Sequence, residues 1–331
     1  MKQTLAISVV TWNSANVIGD LLDSLAQQRY HDYELFCIDN ASSDASVEII
    51  KQKAPKACLI KNDVNRGFSG GHNQGIRLSE SPYIAIVNPD IVFTPDALEI
   101  LLRVLQTHPM VSSISGKLLK YGTSSGIIDC AGIQAKRNRQ FLNRGEGEAD
   151  RGQFETPQEV FGLSGAFVIL RREALESIRI GAEYFDEDLF AYKEDIDLAW
   201  RFLYAGWKNM YEPRAVLYHG RAAQHEAASS AAIHGRKKSA FIKRLSYRNH
   251  LLLLVKNDRI VNWFFPLPRV LFYELAKFFY ACAREPRTAL GLIDALRLLP
   301  KIIRKRTITI RRARVAPRVI ARWFSSSWNS P

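Results

Sequence analysis

The chain has 331 residues, of which 47% are hydrophobic, and its length suits one large domain with an appendage or two domains of ordinary size. This hydrophobic content supplies a sizeable core and excludes a disordered chain. Residues 1–200 carry 20 Lys and Arg against 27 Asp and Glu, so the net charge of +13 arises from a strongly basic C-terminal third.

Strands and helices are predicted to alternate through the first hundred residues. Short apolar runs predict strands over 5–10, 33–38, 59–60 and 83–87. Apolar residues at helical spacing predict helices over 16–28 and 47–53, and a loop that runs into a helix over 69–79. The next helix is expected to have Thr94 as its cap and Pro95 at its first position. This alternation predicts a mainly parallel sheet covered on both faces, with ligands at the carboxyl ends of its strands.

The second half of the chain has a less regular pattern. Residues 116–158 show little periodicity and are expected to form a long loop region that shapes an acceptor site. A strand over 161–170, a helix over 191–205 and a strand over 215–218 follow. From about Ser239 the pattern changes to basic, aromatic-rich helices over 241–255, 267–283 and 288–299.

The cysteines and the apolar segments bear on localisation. The four cysteines lie far apart, with no CxxC pattern and no Cys–His spacing suited to zinc, which favours a reducing, cytoplasmic compartment. The N-terminus has no segment of signal-peptide type, so export is not expected. No stretch reaches the roughly 18–20 apolar residues that span a bilayer.

Polar residues follow the first two predicted strands. Thr11 and Asn13 come after the first strand, and the sequence DNASSD, starting at Asp39, comes after the second. A carboxylate at a strand end can accept the imide N–H of uracil or thymine, and neighbouring Asn and Ser groups can bond ribose hydroxyls. The alternative is a helix cap with an Asx turn, which DNASSD would serve equally well.

Two further motifs suggest phosphate and metal chemistry. The stretch from Asn65 to Gly75 is dense in glycine, and its backbone N–H groups could hold an anion at a helix start while Arg66 adds charge. Asn88-Pro89-Asp90 ends an apolar strand, where a carboxylate can hold a divalent cation that bridges two phosphates. Hard oxygen ligands favour Mg²⁺ or Mn²⁺. Structural turns explain either stretch taken alone.

The last motif is acidic. The segment 185–188, with sequence FDED, precedes Glu194-Asp195-Ile196-Asp197, and His219 follows a later strand. A carboxylate aimed at an acceptor hydroxyl can act as general base, and nearby like charges keep its pKa from falling. Alternatively, these acids complement a helix dipole and His219 is a hydrogen-bonded core histidine.

In this order, the motifs resemble those of family 2 glycosyltransferases of the GT-A fold, and most of all the bacterial rhamnosyltransferase-like group that uses dTDP-L-rhamnose. The matching stretches run from Ile7 to His219 and include ISVVTWNSANVIGDLLDSL, CIDNASSDAS, NRGFSGGHNQGI, YIAIVNPDIVFTPDAL, GLSGAFVILRREAL and FDEDLFAYKEDIDLAWRFLYAGWKNMYEPRAVLYH. The resemblance implies a Rossmann-like, mainly parallel sheet flanked by helices over 1–235, with a basic helical extension over 236–331.

The resemblance also implies roles for individual residues. Asp39 would contact the base, Thr11 and Asn13 would line the nucleoside pocket, and Asn65 with Gly67 would border the donor. Asn88 and Asp90 occupy the position of the family's Asp-any-Asp metal motif, and Asn88 stands where many members have Asp. Asp195 takes the place of the catalytic base, and His219 takes the place of a further metal ligand. An enzyme of this kind inverts the anomeric carbon in one displacement, with a divalent metal and Arg66 or nearby backbone stabilising the departing diphosphate.

The basic tail admits several partners. The predicted C-terminal helices combine aromatic residues with many Lys and Arg, a composition that fits an interfacial helix on anionic lipid. The aromatic residues are Trp263, Phe264, Phe265, Phe272, Phe278, Phe279 and Tyr280. Membrane docking suits a polyprenyl-linked or other saccharide acceptor in O-antigen or similar cell-surface polysaccharide synthesis, and implies a peripheral position on the inner face of the cell membrane.

Other interpretations make different predictions for the same residues. The tail could simply pack on the catalytic domain, or it could bind nucleic acid through the basic run 304–314. Nucleic acid is not the expected partner, because a nucleic-acid-binding function leaves the acidic motifs unexplained. A donor carrying a UDP-linked hexose is the alternative to dTDP-rhamnose. A nicotinamide-dependent oxidoreductase would need its glycine turn directly after the first strand, where Thr11-Trp12-Asn13 stands.

Overall fold

The computed structural model describes residues 3–122, 126–220, 239–259 and 267–325. Its central feature is a ten-stranded sheet. Four parallel strands form one half, in the order β4-β1-β2-β3. Their bounds are β1 (Leu5–Thr11), β2 (Tyr33–Asp39), β3 (Cys58–Lys61) and β4 (Tyr83–Val87).

The other half of the sheet is mixed. It contains β5 (Ile91–Phe93), β6 (Val111–Lys120), β7 (Ile128–Cys130), β10 (Gln158–Val160), β11 (Phe167–Arg171) and β12 (Lys208–His219). β11 joins the halves, because it pairs antiparallel with β4 on one side and with β6 on the other. β12 runs parallel to β6, and a separate hairpin is formed by β8 (Ile133–Ala135) and β9 (Phe141–Asn143).

Helices cover both faces of this sheet, as the sequence predicts. Leu5, Ile7 and Val9 of β1 point to one face, where they pack with α1 (Ile18–Ala26), α2 (Ser46–Lys53) and α4 (Ala97–Thr107). Ala6 points to the other face, towards α3 (Gly67–Leu78), α5 (Arg172–Ile178) and α6 (Glu194–Tyr204). The alternation along β1 follows from the period of two in a strand.

The C-terminal part is helical. Its helices are α7 (Ala240–Asn257), α8 (Leu267–Arg284), α9 (Pro286–Ala289), α10 (Gly291–Arg311) and α11 (Pro317–Ala321). Leu253 and Leu254 of α7 are buried in one cluster with Trp200 and Tyr204 of α6, so the extension packs on the part of the chain that carries the sheet. The predicted boundary at 235/236 and the aromatic residues Trp263, Phe264 and Phe265 lie outside the described residues.

Several predicted elements were wrong in detail. The segment 116–158 is no simple loop, since it holds the end of β6, all of β7, β8 and β9, and the start of β10. Three-residue strands such as β7 leave no periodicity in the sequence, because their pairing partners are supplied by tertiary contact. Thr94 does not cap a helix: α4 begins at Ala97, and the Thr94 hydroxyl donates to the carbonyl of Val216 at 2.7 Å. The helix predicted over 288–299 continues as α10 to Arg311, through Pro300.

Candidate functional site

The sheet brings the predicted strand-end residues to one edge. Thr11 and Asp39 are register partners at the ends of the parallel strands β1 and β2. β4 lies on the other side of β1 and ends at Val87, so Asn88-Pro89-Asp90 follows at the same edge. The backbone N–H of Asn88 donates to the carbonyl of Ala166, just before β11, at 2.8 Å. The carboxyl edge therefore collects the residues that the sequence placed there.

Asp39 and Thr11 present buried oxygens at this edge. Oδ2 of Asp39 accepts the backbone N–H of Ser42 at 3.1 Å. Oδ1 of Asp39 and Oγ1 of Thr11 are buried and have no hydrogen-bond partner within the described ranges. Leaving a buried polar group unsatisfied costs about 1–3 kcal/mol. The pair therefore fits a ligand that brings a donor such as a ring N–H or a hydroxyl.

Asp39 makes one local turn bond of the DNASSD segment through Oδ2, and other residues make the remaining turn contacts. Oδ1 of Asp44 accepts the backbone N–H of Ser46 at 3.0 Å, at the start of α2. Oδ1 of Asn13 accepts the backbone N–H of Ser43 at 2.8 Å, and the Asn13 backbone is left-handed, with φ of 49°. Asn13 thus links the loops after β1 and β2, and it leaves Oδ1 of Asp39 available.

The glycine-dense stretch is helix rather than an open loop. α3 starts at Gly67, whose N–H donates to Oδ1 of Asn65 at 2.8 Å, and the N–H of Ser69 donates to the carbonyl of Phe190. The N–H groups of Gly67 and Ser69 are thus engaged within the protein, and an anion site formed by the other backbone N–H groups of this turn stays a prediction. Arg66 precedes the helix and is exposed.

Two glycines of α3 serve close packing. A Cβ on Gly71 would come within 2.7 Å of Val10, and one on Gly75 within 2.5 Å of the Ser8 hydroxyl. Both partners lie on β1, so only glycine lets the helix approach this strand. Gly71 and Gly75 thus lie within a helix that packs on β1, and they do not form the structural turn given as the alternative.

Asp90 and His219 form a buried pair at the edge. Nε2 of His219 lies 3.3 Å from Oδ1 of Asp90, and Nδ1 of His219 lies 2.8 Å from Oδ2 of Asp129. Burial lowers the pKa of His219, but the hydrogen bonds and charges of Asp129 and Asp90 outweigh burial and raise this pKa to about 9. Sequence reasoning missed Asp129, because β7 lies within the stretch predicted as a loop.

Once Nε2 of His219 gives up its proton, the Asp90–His219 pair fits a divalent cation completed by phosphate oxygens. Two ligands at right angles, each about 2.1 Å from an ion, are themselves about 3 Å apart, close to the observed 3.3 Å. A carboxylate behind the other ring nitrogen, as Asp129 is here, fixes the tautomer of a metal-binding histidine. In residues 3–122, 126–220, 239–259 and 267–325, no three His, Cys, Asp or Glu side chains are grouped to hold a metal. Mg²⁺ commonly binds through one or two carboxylates and substrate phosphates rather than through such a cage.

Asp195 lies at the start of α6 and is connected to the same edge. Its Oδ2 accepts the N–H of Gly165 at 3.2 Å, and Gly165 precedes Ala166, the hydrogen-bond partner of Asn88. Burial raises the pKa of Asp195, while the charge of Lys193 and the backbone N–H donors oppose the rise. Asp195 is half-buried, and its hydrogen bond to Gly165 places the carboxylate one residue from Ala166 at the edge.

Asp195 is the like charge that acts on Glu194. Burial raises the pKa of Glu194 to about 8, and the Asp195 carboxylate adds to the rise. The pKa of both neighbouring carboxyls is therefore raised, and burial is the largest cause for each. The sequence contained this signal, because the predicted cluster of like charges included Glu194 and Asp195 as well as the FDED segment.

The FDED segment has a different use. Oδ2 of Asp186 and Oδ1 of Asp197 accept the buried Lys256 ammonium at 2.6 and 2.9 Å. Lys305 pairs with Glu183 at 2.7 Å and with Asp188 at 2.9 Å. Burial opposes ionisation of Asp186, yet the charges of Lys256 and Lys305 hold its pKa well below the usual range. These four acids bind lysines of α7 and α10 and so attach the C-terminal helices to the part of the chain that carries the sheet. They do not crowd Asp195.

The family of the chain follows from its sequence match. The model of Glycosyl transferase family 2 matches residues 6–179, more than half of the chain, so the protein belongs to this family. The motifs from Thr11 to Asp90 lie within that match, whereas Asp195 and His219 lie C-terminal to it. The fold is the GT-A fold of such enzymes.

Two relatives differ in the sugar that their names specify. The chain is 24% identical over 216 residues to a poly-beta-1,6-N-acetyl-D-glucosamine synthase of Staphylococcus epidermidis, and the match covers 65% of this chain and 49% of the relative. It therefore spans about half the length of that protein. It is 25% identical over 264 residues to an N-acetylglucosaminyl-diphospho-decaprenol L-rhamnosyltransferase of Mycobacterium tuberculosis, covering 73% of this chain and 85% of the relative.

A solved structure shares the fold. The crystal structure of GalNAc-T7 with UDP, GalNAc and Mn²⁺ superposes with a TM-score of 0.61, at 13% sequence identity. The superposition covers 92% of this chain and 55% of that chain. Its coverage extends well beyond the family match, into the C-terminal helices.

Proposed function

We propose that the protein is an inverting, metal-dependent glycosyltransferase that moves a sugar from a nucleoside diphosphate donor to a hydroxyl of a saccharide or lipid-linked acceptor. The observation that carries this proposal is the joint placement of two groups at one sheet edge. The buried Asp90–His219 pair suits a cation, and Asp195 is a carboxylate of raised pKa bonded to Gly165, which is next to Ala166. A nucleotide sugar needs charge stabilisation at its diphosphate and a base at its acceptor.

The donor would occupy the edge from β2 to β4. The unsatisfied oxygens of Asp39 and Thr11 support a base and ribose site there, with Asn13 shaping the loop between them. Asn65 and Gly67, joined by their own hydrogen bond, would border the donor, and Arg66 and Asn88 would lie near the diphosphate. A bound divalent metal, Mg²⁺ or Mn²⁺, would be held by Asp90 and His219 and would supply charge stabilisation of the leaving diphosphate.

The transfer itself is a single displacement. Asp195 takes the proton of the acceptor hydroxyl as that oxygen bonds to the anomeric carbon, and the bond from this carbon to the diphosphate oxygen breaks. The bonding electrons leave with the nucleoside diphosphate. Attack opposite the leaving group inverts the anomeric carbon, and no covalent link to the enzyme forms.

The sugar is proposed to be L-rhamnose from dTDP-L-rhamnose. The Mycobacterium relative supports this choice, because the match covers most of both chains. A UDP-linked hexose is the second candidate, supported by the N-acetylglucosamine synthase and by the UDP bound to GalNAc-T7. Asp39 does not separate the two, since uracil and thymine share the imide N–H that it would accept.

The donor is tested by incubating the protein with a panel of nucleotide sugars, Mn²⁺ and a prenyl diphosphate-linked N-acetylglucosamine acceptor, and measuring nucleoside diphosphate release. We expect release above all from dTDP-L-rhamnose. Release confined to UDP-N-acetylglucosamine or another UDP-sugar would replace the rhamnose assignment and keep the transferase. Absence of release from every donor would contradict the proposed function.

The surroundings of the enzyme are proposed to be the cytoplasmic membrane surface, in cell-surface polysaccharide synthesis. In the part of the chain that the structure describes, no helix is long and apolar enough to cross a bilayer. One face of α8 exposes Leu271, Phe272, Leu275 and Phe279, each between 45% and 76% accessible. Such a face on a basic helix supports association with the interface of anionic lipids by the 236–331 region.

The nucleic-acid alternative is less consistent with the structure. Within the run 304–314, Lys305 is paired with acidic residues, Arg306 donates to the carbonyl of Asp258, and Arg312 donates to the carbonyl of Arg179. These cations connect elements of the protein and are not all presented outward. We therefore propose no nucleic-acid partner.

Replacing Asp129 by Asn tests the metal pair. We expect the affinity for Mn²⁺ in the presence of UDP or dTDP to fall about 10- to 100-fold, because the partner that orients His219 is weakened. Asp90→Asn should lower this affinity at least as much, since Asp90 is the carboxylate of the pair. Isothermal titration of Mn²⁺ into the nucleotide-bound protein measures both effects. Glu173→Gln, an exposed position on α5, serves as control, and an unchanged affinity in both site variants would remove the metal from this position.

Lys193 allows a test through pH. The raised pKa of Asp195 predicts that kcat rises with pH as this carboxyl loses its proton, and the charge of Lys193 favours the ionised form. Lys193→Gln should therefore move the acid limb of the kcat profile to higher pH, while Lys56→Gln, in the exposed loop before β3, should not move it. If the acid limb of the kcat profile lies at the same pH in Lys193→Gln as in the wild type, a group other than Asp195 controls the rate.

A further inference from the structure

The turn 189–193, which leads into α6 and the proposed base, has a strained backbone. Three of its residues have positive φ although none is glycine: Phe190 at 64°, Tyr192 at 70° and Lys193 at 75°. Phe190 has ψ of −67° and is the centre of a γ-turn, in which the N–H of Ala191 donates to the carbonyl of Leu189 at 2.8 Å. This form of γ-turn is rare and strained, so surrounding groups must hold the turn in its shape.

One side of the turn is bound by Asn249, which is fully buried on α7. Its amide Nδ2 donates to three carbonyl oxygens of the turn, those of Leu189 at 2.7 Å, Ala191 at 2.9 Å and Tyr192 at 2.7 Å. Its Oδ1 accepts the Nε–H of Arg248 at 2.9 Å, and Nη2 of Arg248 donates to the carbonyl of Leu189 at 3.1 Å. Two neighbouring residues of the C-terminal extension therefore bind most of the carbonyls of this turn.

The other side of the turn lies against the start of α3. The N–H of Ser69 donates to the carbonyl of Phe190 at 3.0 Å. A Cβ on Gly67 would lie 2.5 Å from that carbonyl oxygen and 2.6 Å from the Phe190 ring, so only glycine permits this contact. The turn is thus enclosed between α7 and the part of α3 that is proposed to border the donor.

The turn passes its position on to Asp195. The carbonyl of Lys193 accepts the N–H of Asp197 at 3.0 Å, which is the first hydrogen bond of α6, and Asp195 lies in that first helical turn. Oδ2 of Asp195 accepts the N–H of Gly165 at 3.2 Å, and a Cβ on Gly165 would lie 3.6 Å from the Asp195 Cβ. A change in the shape of the turn would therefore move the start of α6 and the carboxylate relative to Gly165.

We propose that Asn249 is a positioning residue for sugar transfer, which holds the turn 189–193 in its strained shape and thereby fixes the position of the Asp195 carboxylate. The inference rests on the proposed function, since Asp195 is the base of that reaction. The hydrogen bonds of the Asn249 side chain go to the turn and to Arg248, so it acts through Asp195 and not on the substrates. The C-terminal extension then contributes to the rate of transfer as well as to stability.

The test compares kcat of Asn249→Leu with that of the wild type, as nucleoside diphosphate release with a donor and an acceptor that the wild type uses. Leu has nearly the shape of Asn but cannot donate to the three carbonyls. We expect kcat to fall about 10- to 100-fold, because a misplacement of about 1 Å costs up to that factor. The affinity for UDP or dTDP with Mn²⁺ should not change. Arg248→Met, which removes the second donor to the turn, should lower kcat in the same way.

A double-variant cycle separates positioning from a general loss of structure. In the Asp195→Asn background, Asn249→Leu should lower kcat severalfold at most, because the base through which it acts is already absent. Leu253→Ala is the matched control, since Leu253 is a buried residue of α7 that packs with Trp200. It should reduce stability, measured by urea denaturation, and leave kcat near the wild-type value.

The outcomes distinguish this inference from the proposed function. An equal loss of kcat from Asn249→Leu in both backgrounds, a wild-type kcat in this variant, or an equal loss in Leu253→Ala would overturn the positioning role. Failure of both Asn249→Leu and Arg248→Met to fold would overturn it too, because these side chains would then serve the fold itself. Absence of nucleoside diphosphate release by the wild type would instead contradict the proposed function, and with it this inference.

Discussion

Replacing Asp195 by Asn is expected to lower kcat for sugar transfer by about 10²- to 10⁴-fold, the usual contribution of a positioned general base. Asn keeps the size of the side chain and one acceptor oxygen, but it cannot take the proton of the acceptor hydroxyl. The rate is measured as nucleoside diphosphate release with the preferred donor and acceptor. Nucleotide affinity should stay near the wild-type value, because Asp195 lies on the acceptor side.

Glu194→Gln is the matched control for this substitution. The pKa of Glu194 is raised to about 8 by burial and by Asp195, so this side chain is mostly protonated at pH 7 and Gln resembles that state. We expect kcat within a few-fold of the wild type at pH 7. A wild-type rate in Asp195→Asn, or a loss in Glu194→Gln as large as that in Asp195→Asn, would assign the base to another residue.

Replacing Lys256 by Ala is expected to lower the free energy of unfolding by about 3–5 kcal/mol, the range for removing one partner of a buried ion pair. Lys256 is 1% exposed and contacts Asp186 and Asp197, which are buried as well. Without the ammonium, two carboxylates would stay buried with fewer counter-charges. Urea denaturation followed by circular dichroism measures the change.

Lys301→Ala is the control for this loss of stability. Its ammonium lies 3.3 Å from Asp188, but its side chain is 65% exposed, so solvent screens the pair and the expected change is at most about 1 kcal/mol. If Lys256→Ala were as stable as Lys301→Ala, the buried network would not hold the C-terminal helices to the catalytic half. The extension would then be a separate unit.

The sequence predicted the elements whose periodicity is independent of tertiary contacts. β1, β2 and β4 contain short apolar runs, and the site residues Asp39 and Asp90 were recognisable because they come at or just after the ends of such runs. His219 was found for the same reason, although its strand starts at Lys208, earlier than predicted. The resemblance to family 2 glycosyltransferases is confirmed by the match over residues 6–179.

What the sequence did not predict depends on pairs far apart in the chain. Asp129 meets His219 across 90 positions, and Lys256 meets Asp186 across 70. No local pattern marks such partners, so the role of the FDED acids as counter-charges to Lys256 and Lys305 was not predicted. The glycines of α3 were ambiguous for a similar reason, because their use depends on how closely β1 approaches.

The central claim is a metal-assisted nucleotide site at the Asp39–Asp90 edge of the sheet. Calorimetric titration of UDP and of dTDP, each in Mn²⁺ and in EDTA, tests this claim and does not require that the sugar or the acceptor be known. At least one of the two nucleotides should bind in Mn²⁺, lose most of its affinity in EDTA, and lose it equally in Asp90→Asn with Mn²⁺ present. Absence of binding by either nucleotide in Mn²⁺, or binding that EDTA and Asp90→Asn leave unchanged, would contradict this account.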